Sequence, residues 1–328
     1  MNWLITGGCG FIGRALTGDL LAEGGHKLRV LDNLSVGTRA DLAAVAHFAE
    51  LGTGDDPADW SAPLALLDGD IRDPEAVAQA LNGADIVIHL AANASVPLSV
   101  ESPMSDFSTN AEGTLKLLEG CRGAKIRRFV FASSVAPLGF QKPPHHEELA
   151  TRPASPYGAS KATGENYCSC YYHCFGIETV ILRFGNVYGE GSHRAETVIA
   201  KFIKRALAGK RLEIYGDGQQ TRDFLHISDL VRAVRLAAEI PGIGGETFQI
   251  ATFRETTIAE ITKTLLSAMR AEGMVPPEVF HGATRAGDVV RNFSDASKAR
   301  ERLGWTSTVS LETGLRATLR DFLIRQQP

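Results

Sequence analysis

The chain of 328 residues has no block of like charge, no low-complexity tract, no internal repeat and no apolar run long enough to cross a bilayer. Each absence removes a class of function. With 34 Lys and Arg scattered among 38 Asp and Glu, the formal net charge is −4, and there is no basic footprint for a nucleic acid. Without a spanning segment or a charged leader ahead of an apolar core, the expectation is no membrane partner and a cytoplasmic location. Cysteine is scarce, and its count of five is odd, which argues against a disulfide framework. Cys168, Cys170 and Cys174 crowd one stretch beside His173, yet on a helix Cys170 and Cys174 share a face that Cys168 does not. That spacing does not make a tetrahedral metal site, so no metal is expected and these cysteines read as small buried thiols. The 44% hydrophobic content supplies the core of a sizeable α/β protein.

Against these absences stands a concentrated signal at the N-terminus. Trp3-Leu4-Ile5 runs into Thr6-Gly7-Gly8-Cys9-Gly10-Phe11-Ile12-Gly13, an apolar strand opening through a glycine turn into a helix. Gly7, Gly10 and Gly13 let the backbone turn tightly and approach a pyrophosphate, which the free N–H groups of the helix start then meet. A second strand, Lys27 to Leu31, ends at Asp32, nineteen residues past Gly13. A carboxylate there accepts hydrogen bonds from an adenosine ribose and repels a 2′-phosphate, so NAD is favoured over NADP.

Strands are predicted near 2–5, 27–31, 64–68, 85–90, 127–132 and 177–183, with helical patterns between them, giving a Rossmann-type, doubly wound parallel sheet. Ligands in such sheets sit beyond the carboxyl ends of the strands. Those positions hold Asp68-Gly69-Asp70-Ile71-Arg72-Asp73, His89-Leu90-Ala91-Ala92-Asn93-Ala94-Ser95 and Ala132-Ser133-Ser134. Tyr157-Gly-Ala-Ser-Lys161 then opens a helix, with Tyr157 and Lys161 stacked on one face about 5–6 Å apart at Cβ. A phenol is a poor base at neutral pH, but a neighbouring ammonium and a nicotinamide cation both favour its ionised form. Tyr157 can then take a proton from a sugar hydroxyl, Ser134 can hydrogen-bond the same oxygen, and Lys161 can also hold the nicotinamide ribose.

The blocks Thr6–Gly13, Asp32-Asn33-Leu-Ser35, Gly69-Asp-Ile-Arg-Asp73, His89-Leu-Ala-Ala92, Asn110-x-x-Gly-Thr114, Ser155-Pro-Tyr-Gly-x-Ser-Lys161 and Leu182-Arg-x-x-Asn-Val-Tyr-Gly189 are spread from residue 6 to residue 189. Together they resemble the extended short-chain dehydrogenases/reductases of the NAD-dependent nucleotide-sugar epimerase/dehydratase family, the UDP-sugar 4-epimerases in particular. The resemblance implies that Phe11, Ile12, Asn33 and Ser35 join the glycines and Asp32 around NAD. It also implies that Asp70 and Ile71 touch the adenine, Leu90, Ala91 and Ala92 line the cofactor, Asn110 steadies the site and Phe184 lies near the nicotinamide. For a UDP-sugar it implies Arg222 and Arg285 on the diphosphate and ribose, backbone from Glu213 to Tyr215 on uracil, and Asn186, Thr197 and Val198 on the nucleotide.

The reaction implied is inversion at C4 through a transient 4-keto sugar, with NAD retained throughout. Asn292, seven residues past Arg285, stands where hexose-restricted relatives tend to carry a tyrosine, and Ser95 suits a polar substituent. UDP-glucose and UDP-galactose are therefore expected substrates, with room for N-acetylhexosamines or uronic acids. The residue after Ser134 is Val135, where 4,6-dehydratases and UDP-glucuronate decarboxylases carry acids nearby, so those alternatives are disfavoured. Val135 to Gly139 also departs from the usual family ending of this strand. A regulator that senses NAD without catalysis is a further alternative, against which Ser134, Tyr157 and Lys161 all stand. The expected organisation is an NAD-binding domain over 1–185, to which 222–240 returns, and a discontinuous nucleotide-sugar domain over 186–328. Helices around 106–120 and 158–175 carry apolar stripes that the resemblance assigns to a homodimer. Residues 52–63 read as a flexible surface insertion.

Overall fold

A computed structural model describes residues 1–52, 54–284 and 289–325. The chain divides into two compact units. The first comprises Met1–Gly139, Leu149–Arg183 and Val231–Phe248, and the second comprises Phe140–Glu148, Phe184–Leu230 and the chain from Gln249 onward. The stretch that clusters with the first unit thus begins at Val231 rather than 222 and runs through Phe248.

The first unit is built on an eight-stranded sheet. In spatial order its strands are Thr247–Ile250, Glu178–Phe184, Arg128–Ser134, Ile86–His89, Asn2–Thr6, Lys27–Asp32, Leu64–Asp68 and Ala49–Glu50. Strand Asn2–Thr6 pairs in parallel with Lys27–Asp32 on one side and with Ile86–His89 on the other. The central strands are apolar on both faces: Leu4, Ile5, Val30, Val87, Ile88 and Phe129 have no exposed surface. That is the pattern of a parallel sheet covered on both sides, and it explains why these segments read as continuous hydrophobic runs. The chain winds outward from the first strand and then crosses back to Ile86–His89. This leaves a crevice at the carboxyl ends of Asn2–Thr6 and Ile86–His89, where the winding reverses.

Within the stretch expected to be a flexible surface insertion, residues 57–60 make defined contacts with the sheet. Arg29, on the second strand and fully buried, donates from its guanidinium to the carbonyls of Pro57 and Asp59 and to those of Gln79, Ala80 and Asn82. Its guanidinium carbon sits 4.0 Å from the centroid of the Trp60 ring. A buried cation satisfied by carbonyl oxygens and an aromatic face ties this part of the segment to the sheet.

The second unit gathers a separate core around Tyr188, Ile199, Ile203, Leu212, Ile214, Ile261, Leu265, Leu315 and Leu319. Its helices Ile258–Ala271 and Leu311–Ile324 begin at Thr257 and Ser310, whose hydroxyls accept from backbone N–H groups in the first turn. Helix Ile227–Glu239 carries Asp229 in its first turn. Asp229 accepts from the backbone N–H groups of Thr308 and Val309 and from the Thr308 hydroxyl.

Candidate functional site

The glycine turn sits in the crevice at the switch point. Gly7 has φ +70°, and a Cβ there would lie 2.7 Å from the backbone nitrogen of Ala91. A Cβ on Gly13 would lie 2.5 Å from Gly8 Cα and 2.6 Å from the Gly7 carbonyl oxygen, so the helix can start directly on the turn only without side chains at these points. Helix Phe11–Glu23 begins at Gly10 with no side-chain cap and no acidic residue in its first turn, which leaves donors facing outward. Its positive end is therefore available to an anion.

Asp32 is buried at the end of the second strand. Its carboxylate accepts from the backbone nitrogens of Cys9 (2.9 Å) and Leu34 (2.8 Å), locking the glycine turn to the loop that follows. Burial raises its pKa against the pull of those two hydrogen bonds. Asn33 donates to Asp70 at 2.9 Å, and the Asn33 side-chain oxygen accepts from Ser35 N. A fork from Arg72 holds Asp70 well below the usual carboxylate range. Asp32, Asn33, Ser35 and Asp70 thus form one polar rim. Ile71 does not join it: its side chain is buried in the main core with Leu4, Leu31 and Val77, so only its backbone can face a ligand. Leu90, Ala91 and Ala92 are half-buried across the crevice, and Leu90 N donates to the Thr6 carbonyl.

Ser134, Tyr157 and Lys161 come from a strand end and the helix beside it. Helix Pro156–Phe175 starts at Ser155, whose hydroxyl accepts from Gly158 N, with proline at its first position. This places Tyr157 in the first turn and Lys161 one turn on. The Tyr157 peptide is pinned twice: its N–H donates to Ser99 Oγ at 3.1 Å, and its carbonyl accepts from Ser160 Oγ at 3.0 Å. Lys161 is only 3% exposed, donates to the Ala132 carbonyl at 2.8 Å and stands 4.9 Å from the Phe131 ring centroid. Burial pushes Lys161 down to about 8 and Tyr157 up to about 12; a hydrogen bond with Ser134 opposes the rise on Tyr157. The expected acidification of the phenol is therefore absent in the chain alone, where desolvation dominates.

This depressed lysine gives a stability prediction. Its folded pKa of about 8 lies below the ordinary 10.5, so between these values the unfolded chain binds a proton that the folded chain does not, and stability rises with pH across that window. Lys161→Met is expected to be more stable than the parent at pH 7 by about 2–3 kcal/mol, with the gap closing between pH 8 and 10.5. Urea unfolding of both proteins at a series of pH values checks it; a constant gap would refute the buried charge.

Asn110 occupies a π-helical turn, Ser108–Glu112, inserted between Pro103–Phe107 and Gly113–Ala124, so the single helix expected over 106–120 is interrupted at this residue. The Asn110 side-chain oxygen accepts from Asn93 N, and its amide nitrogen reaches the Asn93 carbonyl, Asp106 Oδ1 and Ser160 Oγ. Behind it, Thr114 Oγ1 donates to the Asn110 carbonyl and is 2.9 Å from His89 Nε2, while His89 Nδ1 is 2.7 Å from Thr6 Oγ1. Burial and the Lys161 charge drive His89 down to about 3, so it serves as a neutral relay of hydrogen bonds. One connected network therefore runs from the glycine turn to the helix bearing Tyr157. Sequence reasoning did not single out Asp106, Ser99 or Ser160, whose partners lie on other elements.

The second unit carries the remaining candidates. Asn186 N donates to the Asp223 carbonyl, and Thr197 accepts from Ala200 N as the cap of helix Val198–Leu207, with Val198 as the first residue of that helix. The Tyr215 carbonyl accepts from Gln220, and Arg222 donates to the Thr221 and Val289 carbonyls. Asn292 N is 3.4 Å from Thr221 Oγ1. Phe184 is buried at the end of its strand. Ser95, in the first unit, caps helix Val96–Glu101 by accepting from Leu98 N. Arg285 lies outside the described residues. Two cysteines depart from the buried-thiol reading: Cys170 and Cys174 are exposed, with sulfurs 3.8 Å apart on the outer face of their helix, while Cys9, Cys121 and Cys168 are buried. Among the described residues no cluster of His, Cys, Asp or Glu forms a metal site, and no helix is long and apolar enough to cross a membrane.

The model of the NAD dependent epimerase/dehydratase family matches residues 3–251. The chain belongs to that family. Its cofactor is NAD, and the uncapped helix start, the glycine cradle and the Asp32 rim fit such a dinucleotide. UDP-glucose 4-epimerase of Mycolicibacterium smegmatis is 34% identical, with all of both chains covered. The crystal structure of UDP-glucose 4-epimerase from Thermotoga maritima with UDP-glucose has a TM-score of 0.88 at 34% identity, again covering all of both chains. A dTDP-glucose 4,6-dehydratase of Streptomyces niveus is 31% identical, covering 97% of this chain and 92% of its own.

Proposed function

We propose that this enzyme inverts the configuration at C4 of a UDP-hexose, UDP-glucose and UDP-galactose first, with UDP-N-acetylhexosamines or UDP-uronic acids as further candidates. The observation that carries this over dehydration or decarboxylation is the turn after Ser134. Val135, Ala136, Pro137 and Leu138 are all apolar and present no acid beside the reacting sugar. Elimination of a hydroxyl needs a second proton donor or acceptor there, whereas epimerisation needs only one group that removes and returns the same proton. Tyr157 is that group, assisted by Ser134 on the same substrate oxygen, with Lys161 holding the neighbouring ribose and keeping positive charge near the phenol. When bound, NAD would supply a cationic ring and a reversible hydride acceptor. Gly7, Gly10, Phe11, Ile12, Gly13, Asp32, Asn33, Ser35, Asp70, Leu90, Ala91, Ala92, Asn110 and Phe184 surround the dinucleotide in this reading, and Ser95, Asn186, Thr197, Val198, Tyr215, Arg222, Arg285 and Asn292 the UDP-sugar.

Purified protein incubated with UDP-, dTDP- and GDP-sugars, without added NAD, should interconvert C4 epimers of the UDP-sugars as resolved by chromatography. Carbon dioxide or a 4-keto-6-deoxy product would establish one of the alternatives instead.

The working form in this proposal is a homodimer. The short helices Val96–Glu101 and Pro103–Phe107 expose Leu98, Val100, Met104 and Phe107, and helix Pro156–Phe175 exposes Tyr167 and Phe175. Exposed side chains of this size on neighbouring helices are suited to a second copy. Size-exclusion chromatography with light scattering should give twice the chain mass; the monomer mass would refute it.

A further inference from the structure

We propose that Asp106 is the buried counter-ion of the Tyr157–Lys161 pair, a positioning residue that fixes the pH range in which that pair carries its charges. The inference rests on the proposed proton-transfer role of Tyr157 and adds to it a residue outside the glycine turn, the serine strand end and the tyrosine helix.

Asp106 is 2% exposed, on the short helix Pro103–Phe107. Its Oδ1 accepts from Asn110 at 2.9 Å, the same amide that reaches Ser160 on the tyrosine helix. Its Oδ2 is buried with no hydrogen-bond partner among the described residues. A carboxylate left half-satisfied in a closed interior is costly unless an opposite charge compensates it. Lys161, on the helix to which Asn110 ties Asp106 through Ser160, is a buried cation on which this carboxylate acts. Its ammonium donates to one carbonyl and faces an aromatic ring, so no carboxylate contacts it directly.

The charged and titratable groups acting on the pair can be named. On Lys161 they are Asp106, Cys168 and Glu165, with His89 feeling the lysine in return; on Tyr157 the charge is Asp106. Glu165 is occupied by Arg183 and Ser133, and the Cys168 thiol is pushed far up by burial. Asp106 is the carboxylate left to balance the lysine. Its negative charge raises both neighbours: it keeps Lys161 protonated and holds the Tyr157 proton on until positive charge enters the site. The π-turn at Ser108–Glu112 brings Asn110 round to grip Asp106 and Ser160 together, which fixes the carboxylate relative to the tyrosine helix.

Asp106→Asn keeps the shape and the contact to Asn110 while removing the charge. Both limbs of the pH profile of kcat should then move to lower pH by about one unit, the usual scale for one nearby charge in a protein interior, whereas Asp106→Glu should leave them in place. A purely structural role would lower the rate without moving either limb. The second readout needs no turnover: the pH window in which parent and Lys161→Met converge in stability should begin about one unit lower in the Asp106→Asn background. If Asp106→Asn does not fold, the unaltered chain carrying carboxyl-labelled aspartate still decides. One aspartate signal should step as Lys161 titrates near pH 8 and lose that step in Lys161→Met. An unmoved window, or no such signal, overturns the counter-ion. Absence of C4 epimers with a shifted window would instead overturn the proposed reaction and leave the counter-ion standing.

Discussion

Tyr157→Phe should lower turnover of the UDP-sugar by about 10²–10⁴-fold, the range that one positioned acid–base group supplies. The substitution removes a single oxygen and keeps the half-buried ring, so the packing around residue 157 is retained. Backbone contacts to Ser99 and Ser160 are unaffected, because both involve the peptide of residue 157 rather than its side chain. Affinity for UDP, measured by calorimetry, should therefore change less than threefold while kcat collapses. The Ser134 hydroxyl cannot replace the phenol, since among the described residues no base stands beside it to take its proton onward. A variant that still makes product at the parental rate would remove Tyr157 from the chemistry. The pKa shifts of the pair sharpen this expectation. With Tyr157 pushed up to about 12, the phenol of the chain alone is overwhelmingly protonated at pH 7, so proton removal depends on compensating charge nearby.

What could be read from the sequence was what lies within a few residues or within one βαβ unit. The glycine turn, Asp32 and the Tyr157–Lys161 spacing are local, and the six expected strands fall on Asn2–Thr6, Lys27–Asp32, Leu64–Asp68, Ile86–His89, Arg128–Ser134 and Glu178–Phe184. Burial on both faces makes such strands conspicuous as apolar runs. The polar interior was not legible for the same reason. Arg29 sits inside a strand between apolar neighbours and looks like a surface cation, yet its partners are loop and helix carbonyls from Pro57 to Asn82. Asp106 stands four residues before Asn110, an ordinary helical spacing that says nothing about Lys161 on another helix. Ile71, which the resemblance put at the adenine beside Asp70, turns its side chain into the core with Leu4, Leu31 and Val77. Cys170 and Cys174 are exposed against the usual burial of cysteine, because residue type does not say which face of a helix turns outward.

Glu165→Ala should destabilise the fold by about 3–5 kcal/mol, a large share of the roughly 5–15 kcal/mol that holds a domain together. Glu165 and Arg183 are each about 5% exposed. Arg183 meets the carboxylate through a fork, Nε to Oε1 at 2.9 Å and Nη2 to Oε2 at 2.7 Å, and Ser133 Oγ donates to Oε1 at 2.6 Å. Truncating the acid leaves a guanidinium in the interior whose Nη1 already has no hydrogen-bond partner among the described residues. The cost is that of an orphaned charge rather than the net worth of the pair, which yields a sharper test. Glu165→Leu combined with Arg183→Met should recover most of the lost stability in urea unfolding at pH 7, because the two buried charges disappear together. Activity should not recover with it. Ser133 precedes Ser134, and Glu165 lies one helical turn beyond Lys161, so the clamp sets the strand end against the helix that Tyr157 and Lys161 occupy. A double variant as stable as the parent but slow in kcat would separate the two roles of this network, while a single Glu165→Ala variant losing less than about 1 kcal/mol would mean that water reaches Arg183 and that the pair is not closed off.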